Sequence, residues 1–313
     1  MNADRTPLLT TPDPHAPQLP AELRARVPAQ QSRKPVSDTR RAARRQSTRV
    51  MRRKDWASPP VPVHREVISE LPAEDTGRAP VLFVPGLRHG AWCFAEHWLG
   101  RAAERGFPAY AMSLRGHGGS GGADRRRKIT IREYVHDVMQ VTASLPRRAV
   151  LVGHGVGGLV VAQVLARYPA QAGVLVAPLT SGWGALGASL LRHPFGTLPG
   201  AFGGSVGLRA GQLFSRGLAK EAARRYRSRL DPSAPKVQFE LLLRRRREPA
   251  LPGTPVLVVG SPQDRLVGQR ALQKIAGRYG TEPLLFPGMG HDMMLDVRWA
   301  EPIDAILDWL SES

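Results

Sequence analysis

The chain has a single cysteine, Cys93, in 313 residues, which rules out an internal disulfide framework and a thiolate metal cluster, and fits a reducing compartment. Lysine is almost as scarce. It occurs only at positions 34, 54, 128, 220, 236 and 274, so the formal net charge of +19 is carried nearly entirely by arginine. Such a charge invites a nucleic-acid or anionic-membrane partner. Arginine, alanine, glycine and proline are abundant together, however, as GC-rich codon usage would produce. We therefore expect no nucleic-acid site and leave contact with an anionic membrane surface open. No uninterrupted apolar run reads as a membrane span: the longest, Ala149 to Ala166, contains His154, Gln163 and four glycines. No secretory-signal pattern occurs near Met1, and the expected location is cytoplasmic.

What is present is a 42% hydrophobic chain, enough to fill one α/β core with an insertion. Residues 1–60 are rich in Pro, Gln, Ser, Thr and Arg, lack apolar periodicity, and are expected to form a disordered basic tail. Met51 is an alternative first residue. Val61–Leu71 alternates like a strand or hairpin arm, and Val81–Val84 reads as a buried strand ending at Pro85-Gly86. Trp92–Arg105 reads as a helix, Ala109–Ser113 as a strand and Thr130–Leu145 as a helix. Arg148–Val152 and Gly173–Ala177 read as further strands, as do Val256–Val259 and Pro283–Phe286, with helices near Arg270–Tyr279 and Ala300–Leu310. Strands alternating with helices predict a mostly parallel, doubly wound sheet. The rhythm breaks over 179–250, the expected place of a helical lid between core segments 61–178 and 251–313. There Trp183, Leu190, Leu191, Phe195 and Phe202 suggest an apolar pocket, and Arg244–Arg247 a solvated helix face.

One stretch organises the rest. Val150–Gly153 runs into Gly153-His154-Gly155-Val156-Gly157 and then an apolar helix, the strand–turn–helix of a nucleophile elbow, Gly-x-Ser-x-Gly, with Gly155 where the serine belongs. Pro85-Gly86-Leu87 resembles an oxyanion loop. Leu114–Ser120 resembles the loop of a following strand, and Val259–Val267 and Gly288–Asp292 resemble acid and histidine loops. Together these resemble the α/β-hydrolase superfamily over residues 61–313. The stretch His89-Gly90-Ala91-Trp92-Cys93-Phe94 resembles its small-esterase, lysophospholipase-like and hydroxynitrile-lyase branch.

The resemblance implies that His291 is a general base, that Asp264 orients it, and that the Leu87 and Val156 amides form the oxyanion hole. It implies no cofactor; the glycines at 153–158 are followed by no acidic residue at a later strand end, as a dinucleotide loop would require. Pro85 replaces the family's usual histidine. Gly155 cannot form an acyl-enzyme. Three functional classes follow: hydrolysis of a small apolar ester by a water that His291 activates, non-hydrolytic base catalysis (lyase, isomerase or cyclase), or a ligand-binding pseudoenzyme. Blander readings make His291–Asp264 a structural pair, His154 a packing residue and His117 and Ser120 turn residues. On the same view Cys93 is a core residue, and Ser181 a poor substitute nucleophile.

Overall fold

The computed structural model describes residues 59–179, 208–242 and 249–312. Most of the expected tail, Met51, Ser181, the five apolar lid residues from Trp183 to Phe202 and the run Arg244–Arg247 lie outside them. Seven strands form one sheet: β1 (Val67–Glu70), β2 (Val81–Val84), β3 (Ala109–Met112), β4 (Val150–His154), β5 (Ala172–Val176), β6 (Val256–Gly260) and β7 (Leu284–Leu285), in the order β1-β3-β2-β4-β5-β6-β7. Only β1 runs antiparallel, pairing Val67 with Met112; every other pairing is parallel.

The central strands β2, β4, β5 and β6 are buried along their whole length, which explains their unbroken apolar runs. Successive side chains leave a strand on opposite faces. Val81, Phe83, Val150, Val152, Val174 and Val176 pack on one side with helices α1 (Trp92–Ala95), α2 (Trp98–Glu104) and α9 (Ala300–Glu312). Leu82, Val84, Leu151, Leu175 and Val258 pack on the other with α3 (Ile131–Ser144), α4 (Val156–Leu165) and α8 (Gln269–Ala276). Three short helices, α5 (Ala210–Leu213), α6 (Lys220–Ser228) and α7 (Pro235–Leu242), fall in the insertion. Among the described residues no helix is long and apolar enough to cross a membrane.

The one helix expected over 92–105 is two. The backbone leaves the helical region at His97 (φ −146°, ψ −51°), whose ring lies flat on Trp299 at 4.6 Å. The expected strand at 61–71 is confined to Val67–Glu70, and the helix expected to Tyr279 ends at Ala276 with a 3₁₀ turn after it. Helix α3 starts on a capping box, in which Thr130 Oγ1 accepts from the Glu133 amide and Glu133 Oε2 accepts from the Thr130 amide.

A buried ion pair ties α3 to the loop after β3. Arg115, 3% exposed, donates from Nε to Asp137 Oδ2 (2.7 Å) and from Nη2 to Oδ1 (2.6 Å), while Arg65 adds a third bond to a carboxylate that is fully buried. Asp137→Ala strands a buried guanidinium whose only other acidic partner is Glu133 at 3.3 Å among the described residues. We expect a loss of about 3–5 kcal/mol in urea unfolding; a loss under about 1 kcal/mol would show that Glu133 and water replace the lost carboxylate.

Candidate active site

The site forms where β2, β4, β6 and β7 end, the usual position for ligands on a doubly wound sheet. Its centre is the turn from β4 into α4. Gly155 has φ +54° and ψ −115°, a conformation that L side chains rarely adopt and glycine adopts freely. Its amide donates to Val176 O (3.0 Å) and its carbonyl accepts from Leu179 (3.0 Å). The flanking glycines are required by space. A Cβ at Gly153 would sit 2.5 Å from Gly157 O, and one at Gly157 would collide with the Val84 and Pro85 carbonyl oxygens.

His291 lies on the loop beyond β7, anchored by the Gly290 amide donating to Asp296 Oδ2 (2.7 Å) and the Asp292 amide donating to Leu213 O (2.8 Å). Its Nδ1 donates to Asp264 Oδ2 (2.8 Å). Asp264, on the loop after β6, accepts the Leu266 and Val267 amides on its other oxygen at 2.7 and 3.1 Å. Its carboxylate is therefore held on both oxygens. The free His291 Nε2 lies 3.2 Å from where a Cβ of residue 155 would stand. His291 and Asp264 are both buried. Burial alone would lower the His291 pKa, but the Asp264 charge and hydrogen bond, with the Asp292 charge, outweigh it and raise the value above 6.5.

Leu87 follows β2 and Val156 opens α4, and the loop expected to carry the oxyanion donor lies beside the elbow: Gly86 Cα is 3.7 Å from the Cβ position of residue 155. Among the described residues neither amide donates to another protein group. His154 lies beneath. Its Nε2 meets His291 O at 3.1 Å, its ring centre is 4.7 Å from that of His291, and burial followed by the His291 charge pushes its pKa down to about 3. It is thus a neutral hydrogen-bonding partner. His117, pushed down to about 4 by burial, binds Arg115 O in the neighbouring loop, and Ser120 spans Glu66 and Ser113. Cys93 is buried in the core, its thiol pushed up by burial and the Asp292 charge.

Two members of the network were not singled out from sequence. His89 Nε2 meets Asp292 Oδ2 at 3.0 Å, and Asp292 Oδ1 lies 3.6 Å from His154 Nε2. The grouping of His154, His291 and Asp292 places metal-type donor atoms within 4.8 Å of one another. Each of the three is held by a hydrogen bond within the protein: His291 Nδ1 to Asp264, His154 Nε2 to the His291 carbonyl, and Asp292 Oδ2 to His89.

Comparison with known proteins agrees with this architecture. Two Arabidopsis thaliana proteins align locally. Methylesterase 3 is 33% identical over 110 residues, 33% of this chain and 40% of that protein, and Methylesterase 10 is 34% identical over 98 residues, 30% of this chain and 34% of that protein. The matched stretch thus spans well under half of either relative. Among solved structures, a monoacylglycerol lipase of Paleococcus ferrophilus superposes with a TM-score of 0.61 at 21% identity, over 81% of this chain and 100% of that one. An esterase of Rhodococcus sp. ECU1013 gives 0.60 at 20%, over 78% and 94%; both likenesses speak to the fold alone. The family profile described as "Alpha/beta hydrolase family" matches residues 81–309, most of the sequence, and the chain belongs to that family.

Proposed function

We propose that this protein hydrolyses esters of small apolar acids or alcohols without a covalent intermediate, using a water that His291 activates in the space a serine side chain would fill. The observation that carries this reading is the 3.2 Å between His291 Nε2 and the Cβ position of Gly155. A water oxygen at that point sits within hydrogen-bond reach of the base. His291 takes a proton from the water as its oxygen attacks the ester carbonyl. The developing oxyanion is met by the Leu87 and Val156 amides, and the proton passes from His291 to the departing alkoxide. Asp264 keeps Nδ1 protonated, so that Nε2 is the nitrogen that accepts. The names of the two Arabidopsis relatives, Methylesterase 3 and Methylesterase 10, lie within ester chemistry.

Direct attack by water has a kinetic signature. With a chromogenic ester, wild-type protein should release the leaving group linearly, with no burst, and added methanol should yield no methyl ester. A burst equal to the enzyme concentration, or methanol capture, would contradict the reading by revealing an acyl-enzyme. No release above buffer would favour a pseudoenzyme or a base catalyst of another reaction.

The pH dependence follows from the raised His291 pKa. Only the neutral imidazole can take a proton, so kcat/KM should fall on the acid side with a midpoint above 6.5. Because the folded value exceeds the unfolded one, the pair's contribution to stability is complete below pH 6.5 and is lost as pH rises through the folded value. In Asp264→Asn the midpoint should move to lower pH; an unmoved midpoint would assign the limb to another group.

A further inference from the structure

The loop bearing the Leu87 amide is a strained turn. The His89 amide donates to Gly86 O (3.2 Å), and Arg88 has φ +71° while Leu87 does not have positive φ. Positive φ at the third residue alone is the mark of a type II turn, a position suited to glycine and costly for arginine. What separates this turn from the unstrained type I is the direction of the Leu87 carbonyl. That carbonyl points at the His89 ring, with Nδ1 at 3.1 Å. The other ring nitrogen, Nε2, faces Asp292 Oδ2 at 3.0 Å. The turn has no hydrogen-bonding side chain at position 85, where Pro85 stands.

Both nitrogens of His89 therefore face oxygens that can only accept, unless Asp292 is protonated. Burial alone would raise the Asp292 carboxyl, but His89, through its charge and its hydrogen bond, is the largest influence that holds it below the ordinary carboxylate value. The ring is 2% exposed and packed between Trp92 (5.9 Å) and His154 (5.8 Å). The titratable groups that interact with it are Asp292, His154 and His117. From the turn, contacts continue outward to the insertion: Arg88 Nε donates to Asp231 O (2.7 Å), and the Asp231 amide donates to Arg88 O (2.9 Å).

We propose that His89 and Asp292 form a second, buried histidine–aspartate pair whose doubly protonated imidazole is the positioning residue of the oxyanion loop, holding the Leu87 carbonyl and with it the strained turn. The role rests on the ester-hydrolase reading only for its effect on rate. One N–H fixes the Leu87–Arg88 peptide, and the other ties the turn to the residue that follows the general base. The oxyanion donor and the base thus move as one unit. A neutral His89 could serve only one of its two acceptors, and the turn could then relax toward type I.

Two measurements on the full chain test this. In ¹⁵N-histidine NMR of wild type near pH 7, His89 should show both ring nitrogens protonated; a single protonated nitrogen would overturn the proposal. In the second, folded His89→Leu should show exchange at the amide of residue 89 about 10-fold faster, and ester kcat about 10-fold lower with KM unchanged. His89→Asn, whose side-chain amide can still donate to Leu87 O, should recover most of both. Wild-type exchange and kcat in folded His89→Leu would overturn it. If no variant turns over ester, the function proposed above fails, and the NMR and exchange results still decide the role of His89.

Discussion

Gly155→Ser should turn this protein into a covalent hydrolase, raising chromogenic-ester turnover by at least ~10²-fold and making residue 155 reactive to fluorophosphonate. Removing the serine from a working triad costs on the order of 10⁶ in turnover, with roughly 10³ over water left to the oxyanion hole and binding. Restoring the hydroxyl to an oriented base and two amide donors should recover part of that gap. A Cβ at 155 meets His291 Nε2 at 3.2 Å, close enough that the imidazole must give by a few tenths of an ångström. The backbone at φ +54° must then carry a side chain, at a cost of about 1–3 kcal/mol. At roughly 2–4 °C per kcal/mol for a domain of this size, the melting temperature should fall by several degrees. Activity should therefore rise while stability falls. A melting temperature that rises would show that the elbow is not strained. An unlabelled, inactive but folded variant would show that the base or the oxyanion hole is not competent.

This opposition of activity and stability explains why the elbow was legible from sequence. Gly153 and Gly157 are there because a Cβ at either would strike backbone, and that need persists whether or not residue 155 does chemistry. The strands were legible for a similar local reason: β2, β4, β5 and β6 are buried on both faces and read as unbroken apolar runs. His291 and Asp264 could be named because each follows a strand end within a short recognisable loop, and the structure brings the two side chains to 2.8 Å.

What could not be read depends on contacts between distant parts of the chain. His89 and Asp292 are separated by 203 positions, and neither carries a local pattern that names the other. The break at His97 follows no helix-stop residue; its ring stacks on Trp299, far along the sequence. Arg115 lies within the stretch Leu114–Ser120, where no local pattern marks it as buried; the fold sets it against Asp137. The signal for His89 in the sequence is its position two residues beyond an expected oxyanion donor, in a loop where Pro85 offers no hydrogen-bonding side chain.

We propose that the His291 imidazole, aimed at the gap above Gly155, does chemistry rather than persisting as a structural pair with Asp264. The most direct measurement is ester turnover by wild type and His291→Ala, with folding of both checked by thermal melting. A positioned general base contributes about 10²–10⁴-fold, and its removal should lower kcat/KM by that factor. Equal turnover in the two folded proteins would contradict the account.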